Sequence, residues 1–86
     1  MKVIKATNKG DSDPETIDIT NYATYLFFLQ HDGGTNYLFA ASMAQSIPKV
    51  TKISSSGDVF DITINNEQVT FMSSVKYWTC VVVKLS

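Results

Sequence analysis

The segment Asp58 to Ser73 constrains the fold most. Phe60, Ile62 and Ile64 alternate with Asp61 and Thr63, and Val69 and Phe71 alternate with Gln68 and Thr70. A period of two is that of a strand with one buried face. Asn65-Asn66 lies between the two halves, and asparagine tolerates the positive φ angles of a tight hairpin turn. A two-residue turn there predicts Phe60 opposite Phe71, Ile62 opposite Val69, and Thr63 opposite Gln68. A four-residue loop through Gln68 keeps the same faces, because the parity of the pairing is unchanged. A lone hairpin is marginal in water, so the rest of the chain must supply strands to cover it.

It does. Tyr25-Leu26-Phe27-Phe28-Leu29-Gln30 and Asn36-Tyr37-Leu38-Phe39-Ala40 flank Asp32-Gly33-Gly34-Thr35, whose glycines are free to take positive φ. A turn centred on Gly33-Gly34 predicts Leu29 against Leu38 and Phe28 against Phe39. Tyr77 to Leu85 is dense in β-branched and aromatic residues on both faces. Such a run reads as a strand buried on both sides, or covered on one side by a partner. Lys49 to Ser54 is polar on both sides and reads as an edge strand. Lys2 to Ala6 and Glu15 to Thr20 read as further short strands. Ala40 to Ser46 has the best local helix propensity of the chain. It predicts one short helical turn or an irregular crossover, ended by the extended bias that Pro48 places on Ile47.

Seven to eight short strands with tight turns predict an all-β, mainly antiparallel fold, a small sandwich or barrel. A compact α+β domain is the alternative if residues 40–46 form a real helix. At 86 residues the chain is expected to be a single domain spanning 1–86, with a thin stability margin.

Composition narrows function by exclusion. The seven basic residues are all lysine and the net charge is −1. Without the planar fork of arginine and without a basic footprint, nucleic acid is not an expected partner. No apolar run approaches the ~20 residues of a spanning helix, so a membrane is not expected either. The N-terminal lysines are not followed by the apolar run of a signal peptide. The chain is therefore expected in the cytosol, or assembled from it into a larger particle. Cys80 is the single cysteine, which rules out an intramolecular disulfide and a zinc site built from cysteines.

Several residues invite a chemical reading and are better explained structurally. Asp11, Asp13, Glu15 and Asp18 alternate like calcium ligands. They lack the turn glycine and closing glutamate of a calcium loop, and Pro14 interrupts them. A solvated loop is the expected role. His31 and Cys80 are a conceivable base and nucleophile, but Cys80 sits mid-strand, where a buried inert thiol is expected. Gly33-Gly34 lacks the Gly-Lys-Ser/Thr ending of a phosphate loop. Asp58 and Asp61, three apart on a strand, point to opposite faces and cannot act as a carboxylate pair. No cofactor, metal or catalytic residue is expected.

The aromatic residues carry the binding readings. Tyr22, Tyr25, Tyr37, Tyr77 and Trp78 each join an apolar ring to a polar handle, a pairing common at interfaces and in ligand pockets. On its strand Trp78 shares a face with Cys80 and Val82, and Tyr77 shares one with Thr79, Val81 and Val83. One of these faces is core; the other is a second core layer or a binding surface. The weakly charged surface, with nine Ser, nine Thr and five Asn, opposes self-contact little. It is similar in composition to small virion or phage proteins, a likeness carried by no motif. The expected function is a non-enzymatic assembly or interaction domain, viral or phage in setting, that forms a homo-oligomer or binds a protein partner. The alternative is a small-ligand binding or sequestering module with a Tyr/Trp-lined pocket.

Overall fold

The computed structural model describes residues 1–86. Eight strands run in chain order: β1 (Lys2–Lys9), β2 (Glu15–Asp18), β3 (Tyr25–His31), β4 (Tyr37–Ser42), β5 (Val50–Ser56), β6 (Phe60–Asn65), β7 (Gln68–Ser73) and β8 (Trp78–Lys84). They form a five-stranded sheet, β1-β8-β3-β4-β5, and a three-stranded sheet, β2-β7-β6, with every pairing antiparallel. The two sheets face each other as a small β-sandwich.

The core lies between the sheets and follows the alternation of each strand. Tyr25, Phe27 and Leu29 of β3 are buried, as are Trp78, Cys80 and Val82 of β8, and Leu38 and Ala40 of β4. The smaller sheet contributes Phe60, Val69 and Phe71. The Phe71 ring meets that of Phe27 across the interior at 5.4 Å, tilted by 59°, and Phe60 meets Trp78 at 5.8 Å. Tilted aromatic contacts of this kind add to the gain from area burial alone.

Two aromatic side chains also pin the crossovers between sheets. The indole Nε1 of Trp78 donates to the carbonyl of Asp11 at 2.9 Å, fixing the β1–β2 connection. The Tyr25 hydroxyl accepts from the amide of Thr20 at 3.0 Å, fixing the β2–β3 connection. Their polar handles are spent inside the fold.

The β3–β4 hairpin has the expected register, with Leu29 opposite Leu38 and Phe28 opposite Phe39. Gly34 takes φ +81° at its turn. The β6–β7 hairpin differs from the two-residue turn expected at Asn65-Asn66. Ile62 lies opposite Phe71, Ile64 opposite Val69, and Asn65 opposite Gln68. This is the register of the longer loop, closed one step further, so that Asn66-Glu67 forms the turn and Asn66 takes φ 55°. The buried faces are those expected, because a shift of two residues preserves side-chain parity. The shift lets Ile64 pair with Val69 against the core, and the turn is held by the Ile19 amide donating to the Glu67 carbonyl at 2.7 Å.

Residues 40–46 form no helical turn. Ala40, Ala41 and Ser42 continue β4, paired with β3 on one side and β5 on the other. A helix here would satisfy the same backbone groups but forfeit both ladders, and Ala40, Ala41 and Ser42 are all buried where they are. The helix propensity of alanine, a few tenths of a kcal/mol per residue, is small against that. Nor do residues 40–46 cross between sheets: residues 43–49 are an irregular loop that joins β4 to β5, its antiparallel neighbour in the same sheet. The edge position expected for Lys49 to Ser54 is occupied by β5, and β1 is the other edge of the larger sheet.

Candidate functional site

The four edges are guarded and one face is not. Each edge of the larger sheet carries a register irregularity, between Val3 and Lys5 on β1 and beside the Phe39/Ala40 step on the β5 side. Lys2, Lys5 and Lys9 lie on β1 and Lys52 on β5. Bulges and lysines are what keep an edge from pairing with another sheet. In the smaller sheet β2 is only four residues long, and β6 carries Asp61. On the β1–β2 side, Glu15 sits between Lys5 and Lys9, with Lys9 Nζ 3.2 Å from Glu15 Oε2. The hydrogen bond from Lys5, opposed by burial and aided by Lys9, holds the Glu15 carboxyl below its usual value. This inward-facing ion cluster closes that side of the sandwich.

The outer face of the smaller sheet is ordinary solvent-facing surface. Thr16, Thr70 and Thr63 form one row across it. The Thr16 and Thr70 hydroxyls are 3.0 Å apart, and Gln68 donates to Asp18 at 3.3 Å.

The outer face of the larger sheet has a different chemistry. Its register places Ala6, Val81, Phe28, Phe39 and Ser54 in one row across the five strands. Toward the other end of the strands lie Val3, Val83, Leu26, Ala41 and Thr51, and on the opposite side Asn8, Thr79, Gln30, Tyr37 and Ser56. None of these side chains is charged. Phe28 is 40% exposed, Tyr37 43% and Val3 58%. The Phe28 and Phe39 rings stack on each other with centroids 4.8 Å apart, forming a ridge over β3 and β4. Over β1 and β8 the same face sinks into a shallow hollow of about 280 Å³ bordered by Ala6, Asn8, Thr79 and Val81. The strand β8 therefore has one face in the core, with Trp78, Cys80 and Val82 fully buried, and one that this chain leaves uncovered.

The five Tyr and Trp residues singled out from the sequence do not meet. Tyr25 and Trp78 are core residues, 2% and 0% exposed. Tyr22 and Tyr77 are exposed in loops, each with φ 60°. Tyr22 precedes β3 and Tyr77 precedes β8, and because those strands are antiparallel the two residues lie at opposite ends of the sandwich. Tyr37 alone lies on the uncovered face. The residues that the sequence reading missed there are Phe28, Phe39 and Leu26. Their signal was present, since β3 is apolar on both faces as β8 is.

The largest groove, about 690 Å³, lies between the 45–48 segment and the β6–β7 turn. Asn21, Ser46, Ile47, Asn65, Asn66 and Gln68 are among the residues lining it, with no Tyr or Trp.

His31 and Cys80 both point inward, but from offset positions: His31 pairs with Trp78, and Cys80 with Leu29. The Cys80 thiol is buried, and loss of hydration, reinforced by the charge of Glu15, pushes its pKa up to about 12. Such a thiol is protonated and unreactive at neutral pH. Native protein should label with a maleimide far more slowly than unfolded protein at the same pH. Native labelling at the rate of a free exposed thiol would contradict the burial of β8.

No helix in the chain is long and apolar enough to cross a membrane. No family model matches the chain, and no curated protein or solved structure is significantly similar to it. What defines it is the fold: a small antiparallel β-sandwich with one charge-free, largely apolar sheet face exposed.

Proposed function

We propose that this chain is a non-enzymatic assembly or interaction domain that docks through the outer face of its five-stranded sheet. The observation that carries the reading is the absence of charge from that face, around a ridge of two stacked phenylalanines. Solvated sheet faces alternate apolar-in with polar-out, as the smaller sheet does here. Contiguous exposed apolar surface marks an interaction site, and charged side chains are depleted at interface cores. The guarded edges support docking by the face rather than by strand addition. The partner is a protein, a second copy of this chain included. The Ser/Thr/Asn-rich, weakly charged composition supports a setting in a viral or phage particle assembled from the cytosol.

The alternative, a small-ligand module, has less support. Its expected Tyr/Trp-lined pocket would need side chains that lie in the core or at opposite ends of the sandwich.

Val81→Lys tests the docking reading. Val81 points outward at the centre of the face, so the lysine reaches water in the free chain. We expect the variant to keep its fold, with a stability within about 1 kcal/mol of the parent, and to lose whatever association the parent shows. Circular dichroism and thermal melts report the first, and light scattering behind size exclusion the second. Unfolding of the variant from a parent that is monomeric would show that the face is needed for folding and would overturn the reading.

A further inference from the structure

We propose that the occupant of this face is a second copy of the chain, docked about a two-fold axis that lies along the strands between β8 and β3. The proposal rests on the docking reading above and adds the partner and its placement. Two observations carry it.

The first is shape. Ridge and hollow share one face and one level: Phe28 and Phe39 lie in the same row as Val81 and Ala6. In the sheet order β1-β8-β3-β4-β5, an axis between β8 and β3 exchanges β8 with β3 and β1 with β4. Rotation about it sets Phe28 of each copy over Val81 of the other, and Phe39 over Ala6. Both copies then fill each other's hollow, which is the reciprocity that an isologous interface requires. The other in-plane two-fold, across the strands, stacks ridge on ridge and leaves the hollows empty.

The second is charge. A partner with a charged surface would have to desolvate it against a face that offers no counter-charge. A copy of the same neutral face has no such penalty.

Two twisted sheets packed in this way have nearly aligned strands, about 10 Å apart.

The test uses two single variants of the full chain, Val81→Lys and Phe28→Glu. Each alone buries an unpaired charge in the dimer and should weaken self-association on the order of a hundredfold or more. Mixed in equal amounts, they should form a heterodimer, because the lysine introduced in one chain then meets the glutamate introduced in the other, while the second contact stays native. Light scattering reads the mass. If either variant does not fold, Asn8→Cys and Tyr37→Cys chains decide instead. These rim positions oppose each other across the same axis, so a short bis-maleimide should join 8 to 37 between chains in preference to 8 to 8. A dimeric parent whose variants are not rescued by mixing, or cross-links of 8 to 8, overturns the proposed axis. A parent that is monomeric at about 100 µM overturns the second copy as partner. The docking reading would survive that result and falls only if Val81→Lys unfolds a monomeric parent.

Discussion

Val82→Lys is expected to leave the chain unfolded at neutral pH, although it differs from Val81→Lys by one step along the same strand. Val82 is fully buried, paired with Lys5 on β1 and Phe27 on β3. Its side chain points between the sheets. A lysine there must shed its proton to be tolerated, and at pH 7 deprotonation from a reference pKa near 10.4 costs about 5 kcal/mol. The longer side chain must also displace core neighbours, adding roughly 1–3 kcal/mol. A domain of 86 residues has a total margin of about 4–13 kcal/mol, and the sum, about 6–8 kcal/mol, takes from half to all of it. The pH dependence identifies the cause. The buried amine has a depressed pKa, the unfolded chain binds the extra proton, and stability therefore rises with pH toward 10. Denaturant melts of the variant at pH 7 and pH 9.5 should show recovery at the higher value. A folded, pH-indifferent Val82→Lys would place the core on the other face of β8.

Phe71→Ala should cost about 3–5 kcal/mol. Phe71 is fully buried on β7, opposite Glu15 on β2 and Ile62 on β6, with its ring against Phe27 of the facing sheet. Truncation removes the main contact between the sheets at that level and leaves a cavity that two paired strands cannot collapse into. Asp61→Asn on the outer face of β6 is the control. Asp61 is exposed, and its Oδ1 accepts from the amide of Ile62, a bond that asparagine can also make. It should change stability by less than about 0.5 kcal/mol. The two shifts in denaturant midpoint should therefore differ severalfold, and equal shifts would contradict the facing of the hairpin.

Much of this architecture was legible along the chain. Alternation in β6 and β7 identified Phe71 as inward and Asp61 as outward, because side-chain parity is a local property of an extended backbone. The register of β3 on β4 was legible because the short glycine turn leaves only one pairing that sets Leu29 on Leu38. The register of β6 on β7 was not, since alternation limits a pairing only to steps of two. Ile64 against Val69 and the Ile19–Glu67 bond just beyond β2 made the choice. Nor did local propensity disclose the end of β4, where two ladders outweigh a preference for helix.

The candidate site divides in the same way. That β8 was apolar on both faces, that no arginine or metal motif was present, and that the surface was poorly charged could be read from the residues alone. Which face of β8 is core depended on contacts distant in sequence: Trp78 turns inward because its ring meets Phe60 and its Nε1 reaches Asp11, 67 residues away. The same packing removed Tyr25 and Trp78 from any binding surface and separated Tyr22 from Tyr77. It also brought Phe28 and Phe39 level with Ala6 and Val81, a row drawn from four strands. Periodicity tells a strand which of its side chains are alike. Only the assembled sheets decide which set meets the core and which is left for a partner, because that depends on what lies across the gap.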